Sequence, residues 1–298
     1  MQKRLRRNNG KKRRSIANLI LYVAKIKNGG IVFPMIIDFH THVFPHKIAD
    51  AAMTKLQHQC GVPYYAPATA ESLVKTMDAC GVDKSVVLNI VTKETQHEDV
   101  LSFAKEIDSE RLISFGSVMP GSEYALEYVW KISDEGLKGM KLHPPLQRID
   151  VDDKRLFPVY DLARALNLVV IFHAGWDATY RDEMRASVEM TINVVNNFPG
   201  LKLVAAHMGG LRIARDVFDR LAGKYELYFD TAYAADPWLD KGMFRDIIRR
   251  HGAEHILLGS DYPWHLPSME IDLIKSLDIG EEETEMILGE NAARLLGL

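Results

Sequence analysis

The stretch "MIIDFHTH", residues 35–42, ends a short apolar run with an acid and two histidines spaced two apart. Side chains alternate along a strand, so His40 and His42 are expected on one face, with Asp38 behind them. Polar groups aligned at the end of a buried strand cost free energy unless something compensates them.

Seven further runs repeat the pattern: "KSVVLNI", "RLISFGSVMP", "LKGMKLHPP", "LVVIFHAG", "LKLVAAHMGG", "LYFDTAY" and "ILLGSDYPW". Segments of helical periodicity lie between them, among them "ESLVKTMDACGVD", "DDKRLFPVYDLARALN" and "SVEMTINVVNNFPG", and several close on Gly or Asn, as helix C-termini do. Continuous apolar strands alternating with amphipathic helices predict a parallel sheet covered by helices. After the first pair the strands recur roughly every 25 to 35 residues, the length of a βα unit. Eight units in about 260 residues predict a (β/α)8 TIM barrel. The runner-up, an open doubly wound sheet, normally carries a glycine-rich phosphate loop after its first strand, and no GxGxxG or Walker pattern is present.

The 298 residues, 47% hydrophobic and 26% charged, have the composition of an ordinary folded protein. Two cysteines, Cys60 and Cys80, exclude a disulfide framework and suit a reducing cytoplasm, so any metal must be held by histidines and carboxylates. Residues 1–34 carry ten Lys or Arg and no acid, which leaves −13 of charge on residues 35–298, the predicted barrel domain. An acidic body argues against nucleic-acid binding, and no apolar run is long enough to span a membrane. The basic head has three readings: a weak signal peptide interrupted by Lys25 and Lys27, an amphipathic membrane-surface anchor, or a disordered extension from a misassigned start. The last is preferred, because Met35 opens the first strand directly.

In a barrel of this type, functional groups gather at the C-terminal ends of the strands. Strand one ends in His40 and His42, strand four in Lys141 and His143, strand five in His173, strand six in His207 and strand eight in Asp261. Five of the eleven histidines thus fall on one rim. Imidazole with carboxylate suits Zn²⁺ first, with Mn²⁺, Fe²⁺ or Co²⁺ as alternatives. Asp38 reads as a supporting or helix-capping group. His46, Trp176, Tyr233, Trp264 and His265 fall in rim loops as candidate pocket residues, with Arg148 and Lys47 as candidate anion contacts. His58, His97, His251 and His255 lie away from the rim and read as structural.

Residues 35–298 resemble the amidohydrolase superfamily, and within it the amidohydrolase-related branch (amidohydrolase 2) that includes decarboxylases of the aminocarboxymuconate-semialdehyde type. The matching elements are the HxH of "DFHTHVFP", the histidines of "IFHAG" and "AAHMGG", the aspartate of "GSDYPW" and the closing "GENAARLLGL". The resemblance implies His40, His42, His173 and Asp261 as metal ligands. It implies that His207 polarises the substrate or moves a proton, and that Asp261 also accepts one. "MKLH" matches the lysine that is carboxylated and bridges two ions in some members. Lys141 would then bridge, with His173 and His207 on the second ion and His143 as a substrate contact; one ion is the expected count.

The expected activity is metal-dependent hydrolysis of a C–N or C–O bond in a small molecule, Asp261 or His207 moving the proton. The alternative is non-oxidative decarboxylation of a small aromatic or unsaturated acid on the same scaffold. A barrel that only binds ligands is a third reading, disfavoured because every expected metal position is filled. A homodimer is the default assembly.

Overall fold

A computed structural model describes residues 34–298 and, before them, the short strands Lys25–Lys27 and Gly30–Val32, which pair antiparallel. The chain divides into two units, Met1–Met35 and Ile36–Leu298. Apart from that strand pair, the expectation of a disordered basic head lies outside the described residues. Among the described residues no helix is long and apolar enough to cross a membrane.

The second unit carries eight parallel strands: β1 (Ile37–Thr41), β2 (Lys84–Leu88), β3 (Leu112–Phe115), β4 (Gly139–Leu142), β5 (Val169–Phe172), β6 (Leu203–Ala205), β7 (Tyr228–Asp230) and β8 (Ile256–Leu257). They pair in chain order within two arcs, β1 to β3 and β4 to β8. Parallel bridges Gly116–Met140 and Thr41–Tyr262 join the arcs at both ends. Across the second seam Phe39 N–H donates to Leu258 O at 2.7 Å and Asp261 N–H to His40 O at 2.8 Å. The cylinder is closed, which is the (β/α)8 barrel expected from the strand count.

The apolar runs are continuous because each strand is buried on both sides. Val86, Ile113, Ile171 and Val204 fill the barrel, while Val87, Met140, Val170 and Phe172 pack outward against the helices. The C-terminal helix Asn291–Leu296 adds Ala292, Leu295 and Leu296 to the inner cluster. Its Asn291 amide donates to Ile256 O at 2.8 Å, at the end where β8 begins. Helix Ala70–Cys80 starts on the Thr69 side chain, which accepts from Ser72 N–H, and stops at Gly81, whose φ of 72° suits a residue without a Cβ.

Strand β1 departs from strict alternation. Its register against β2 shifts between Asp38 and Thr41, so Phe39 packs edge-on against Phe115 in the inner cluster while His40 also faces inward. Asp38 turns away and clamps β1 to β8, accepting from Ser260 Oγ at 2.5 Å, Ser260 N–H at 2.9 Å and His40 N–H at 3.2 Å. It caps no helix.

His251 shows the role expected of a structural histidine. Its ring stacks on Phe229 at 3.9 Å, Nε2–H donates to Leu227 O and Nδ1 accepts from Gly223 N–H. Both nitrogens are satisfied only in the neutral ring, and burial pushes its pKa down to about 4. On acidification the unfolded chain takes up this proton first, near pH 6.5. The stabilisation is therefore whole above that pH and falls by about 1.4 kcal/mol per pH unit toward pH 4. Urea unfolding between pH 7 and 4 should show His251→Asn losing stability less steeply than wild type; parallel slopes would remove this assignment.

Candidate metal centre

His40 and His42 reach the barrel mouth from the end of β1, and Asp261 arrives from the loop after β8. Gly259 makes room for them: a Cβ there would lie 2.8 Å from His40 Cβ. His40 Nε2 and His42 Nε2 are 3.1 Å apart, and Asp261 Oδ1 lies 3.3 Å from the first and 3.4 Å from the second.

The hydrogen bonds behind these rings fix which nitrogens are free. His40 Nδ1 donates to Asp230 Oδ2 at 2.7 Å, and His42 Nδ1 faces Leu88 O at 2.9 Å. A carbonyl and a carboxylate only accept, so both rings carry hydrogen on Nδ1 and present bare Nε2 lone pairs to each other. Two lone pairs and a carboxylate oxygen repel unless a cation joins them. His40, His42 and Asp261 therefore fit a divalent ion by the chemistry of their donor set.

The same logic holds one pair further along the rim. His207 Nδ1 faces Ala232 O at 3.0 Å, and His173 Nε2 faces Trp176 O at 3.0 Å. Their other nitrogens, His207 Nε2 and His173 Nδ1, are 3.0 Å apart with no hydrogen between them. His173 stacks on His143 at 4.6 Å, and Asp177 Oδ2 lies 3.8 Å from Nε2 of both, a second possible metal-holding group. Lys141, fully buried, places Nζ 3.2 Å from His40 Nε2.

Electrostatics follow from burial and charge. Burial pushes His40 down to about 4 and His207 to about 3, and lowers His173 and His143 as well. Lys141 falls to about 8 by burial, against the attraction of Asp230 and Asp261. Burial would raise Asp261, but the adjoining rings of His42, His40 and His207 hold it well below the carboxylate range. Asp230 is held at about 2, His40 overcoming the effect of burial.

All seven predicted rim residues thus lie in one buried network, in two groups rather than one. His40, His42 and Asp261 form the first, approached by Lys141. His173 sits in the second, with His143 and His207. Of the predicted loop residues, Tyr233 stacks on His265 at 4.2 Å, and His265 Nδ1 meets the buried Glu270 at 2.8 Å. Trp264 lies edge-on to Tyr64 of the long first loop. That loop contains a helix, Ala49–Cys60. Arg148 is paired with Glu183 at 2.8 Å, and His46 and Lys47 are exposed.

Three site residues were not singled out from the sequence. Asp230 ends β7 in "YFDTAY", Asp177 follows His173 in "HAGWD", and Arg212 follows His207 in "HMGGLR". The signal for each was its place just past a strand that already carried a candidate ligand or a polar end.

The amidohydrolase family model matches residues 37–298. A 2-amino-3-carboxymuconate-6-semialdehyde decarboxylase from Dictyostelium discoideum is 25% identical over 231 residues, 63% of this chain; the chain spans 62% of that relative's length. The 5-carboxyvanillate decarboxylase LigW from Sphingomonas paucimobilis superposes with a TM-score of 0.64 at 17% identity, over 89% of this chain and 99% of its own. A dihydroxybenzoic acid decarboxylase from a Polaromonas species, with bound manganese and the inhibitor 2-nitroresorcinol, gives 0.67 at 16% identity, over 89% and 97%. At those identities the two structures speak for the fold alone. With a family model covering nearly all of the barrel unit, the chain belongs to the amidohydrolase family.

Proposed function

We propose that this chain is a metal-dependent decarboxylase of a small unsaturated or aromatic carboxylic acid. The metal dependence rests on the facing lone pairs of His40 Nε2 and His42 Nε2, 3.1 Å apart beside Asp261. The choice of decarboxylation over the hydrolysis expected from the sequence rests on the relatives, whose names are those of decarboxylases. His40, His42, His173 and Asp261 are the proposed ligands, with Zn²⁺ or Mn²⁺ as the ion. Such an ion, when bound, supplies positive charge to the substrate oxygens as the C–C bond to the carboxylate breaks.

The chain's own residues divide the remaining work. His207 exchanges a proton through Nε2, because Nδ1–H is fixed on Ala232 O. Asp261, a carboxylate at working pH, would take one proton from solvent by way of His207 and return it to the carbon that CO₂ leaves, so that the C–C bond broken is replaced by a C–H bond. The bare pair His173 Nδ1 and His207 Nε2 supports a second reading with two ions, Lys141 carboxylated between them. Elemental analysis separates the readings as one ion per chain or two. Cys60 and Cys80, both unpaired, fit action in the cytoplasm.

The test is product identity. Metal-loaded protein incubated with a panel of planar acids, such as 2,6-dihydroxybenzoate, is expected to release CO₂. Chelation should stop the reaction, and Zn²⁺ or Mn²⁺ should restore it. Turnover of an amide or ester panel without CO₂ from any acid would return the assignment to hydrolysis.

A further inference from the structure

The loops after β5 and β6 are zipped together at the rim. Leu211 N–H donates to Ala174 O at 2.9 Å, Trp176 N–H donates to Leu211 O at 2.9 Å, and Gly175 bridges Leu211. Gly175 has φ 85°, and a Cβ there would strike the Leu211 backbone, so no other residue fits. The next residue in each loop is thereby aimed. Arg212 sets its guanidinium 4.2 Å from the centroid of the Trp176 ring, and the Trp176 indole is itself tied to Arg181 O at 3.1 Å.

Arg212 stands at φ 61°, a conformation that costs about 1–2 kcal/mol for a residue with a Cβ. The loops after β6, β7 and β8 hold His207, Met208, Arg212, Tyr233 and Asp261, five of the eight such non-glycine residues among those described. Strain gathered at a rim marks conformations held for use. Arg148 and Arg185 have carboxylate partners; Arg212, exposed at the mouth, has no ion-pair partner among the described residues. Trp176 ties this cation to the metal centre, since its carbonyl accepts from His173 Nε2–H at 3.0 Å, and Tyr233 stacks on His265 in the loop that follows Asp261.

We propose that Arg212 is a specificity-determining residue that binds a second anionic group of the substrate, a carboxylate not lost in the reaction, on a flat conjugated skeleton lying along Trp176 and Tyr233. The inference rests on the reading of this site as acting on a planar acid. A guanidinium fork suits a carboxylate, and its contact with Trp176 holds it ready. The substrate class is a planar dicarboxylate.

The test is binding, which needs no turnover. Metal-loaded full-length protein is titrated calorimetrically with benzoate and with the three benzenedicarboxylates. At least one dicarboxylate should bind about tenfold tighter than benzoate, equivalent to about 1.4 kcal/mol. Arg212→Met should erase that preference while metal content and thermal midpoint are kept, and Arg212→Lys should retain part of it. A preference that survives Arg212→Met, a wild type that prefers no dicarboxylate, or no acid bound at millimolar concentration would overturn the proposal. A metal-loaded wild type that prefers a dicarboxylate yet releases no CO₂ from any acid would defeat the decarboxylase reading and leave Arg212 in its role.

Discussion

Asp230→Asn is expected to weaken metal binding by one to two orders of magnitude and to lower kcat/KM by roughly 10²- to 10⁴-fold, though Asp230 touches no substrate. The carboxylate accepts three hydrogen bonds: His40 Nδ1–H on Oδ2 at 2.7 Å, then His207 N–H at 2.8 Å and Ala232 N–H at 3.1 Å on Oδ1. An asparagine must keep its oxygen on the two backbone N–H groups, which aims its NH₂ at His40. Two donors cannot face each other, so His40 moves its hydrogen to Nε2. That hydrogen then bonds the bare Nε2 of His42, and the site satisfies itself in a form that takes no ion. Competition with a chromophoric chelator measures the affinity, and ¹⁵N NMR reports the tautomer. An affinity within twofold of wild type would show that His40 is not held in this way.

Asp261→Asn is expected to abolish turnover to below about a thousandth of wild type, the scale of losing a proton-transfer partner together with a charged ligand. The substitution isolates chemistry from folding. Asp261 sits at φ 66°, and asparagine is among the few residues that accept such a backbone. The main-chain bonds from Asp261 N–H to His40 O and from Trp264 N–H to Asp261 O are unaffected. Steady-state rates beside a thermal melt check it. A folded variant with more than a tenth of wild-type activity would remove Asp261 from the reaction.

The barrel was legible because parallel strands buried on both faces leave uninterrupted apolar runs, and eight such runs at βα spacing admit few architectures. His40, His42, His173, His207 and Asp261 were legible because each ends one of those runs, where an imidazole or carboxylate has no packing reason to be. What stayed hidden is non-local. Asp230 is 190 residues from the His40 it orients, and an aspartate after a strand is too common to attract notice. The tautomers are set by Leu88 O, Ala232 O and Trp176 O, and backbone carbonyls leave no mark in a sequence. The β1 bulge that brings Phe39 and His40 to the same interior is equally silent. Arg148 was the arginine singled out for anions, yet Glu183 occupies it; Arg212, which has no ion-pair partner among the described residues, is aimed by a loop-to-loop zipper that only the fold creates.

Anomalous diffraction from crystals of the metal-loaded protein, collected at the edge of the supplied ion, bears most directly on the metal centre. The expected result is a peak at the barrel mouth bonded by His40 Nε2, His42 Nε2 and an Asp261 oxygen. A map with no peak there, or one in which those two nitrogens are hydrogen-bonded to each other while the ion sits elsewhere, would contradict it.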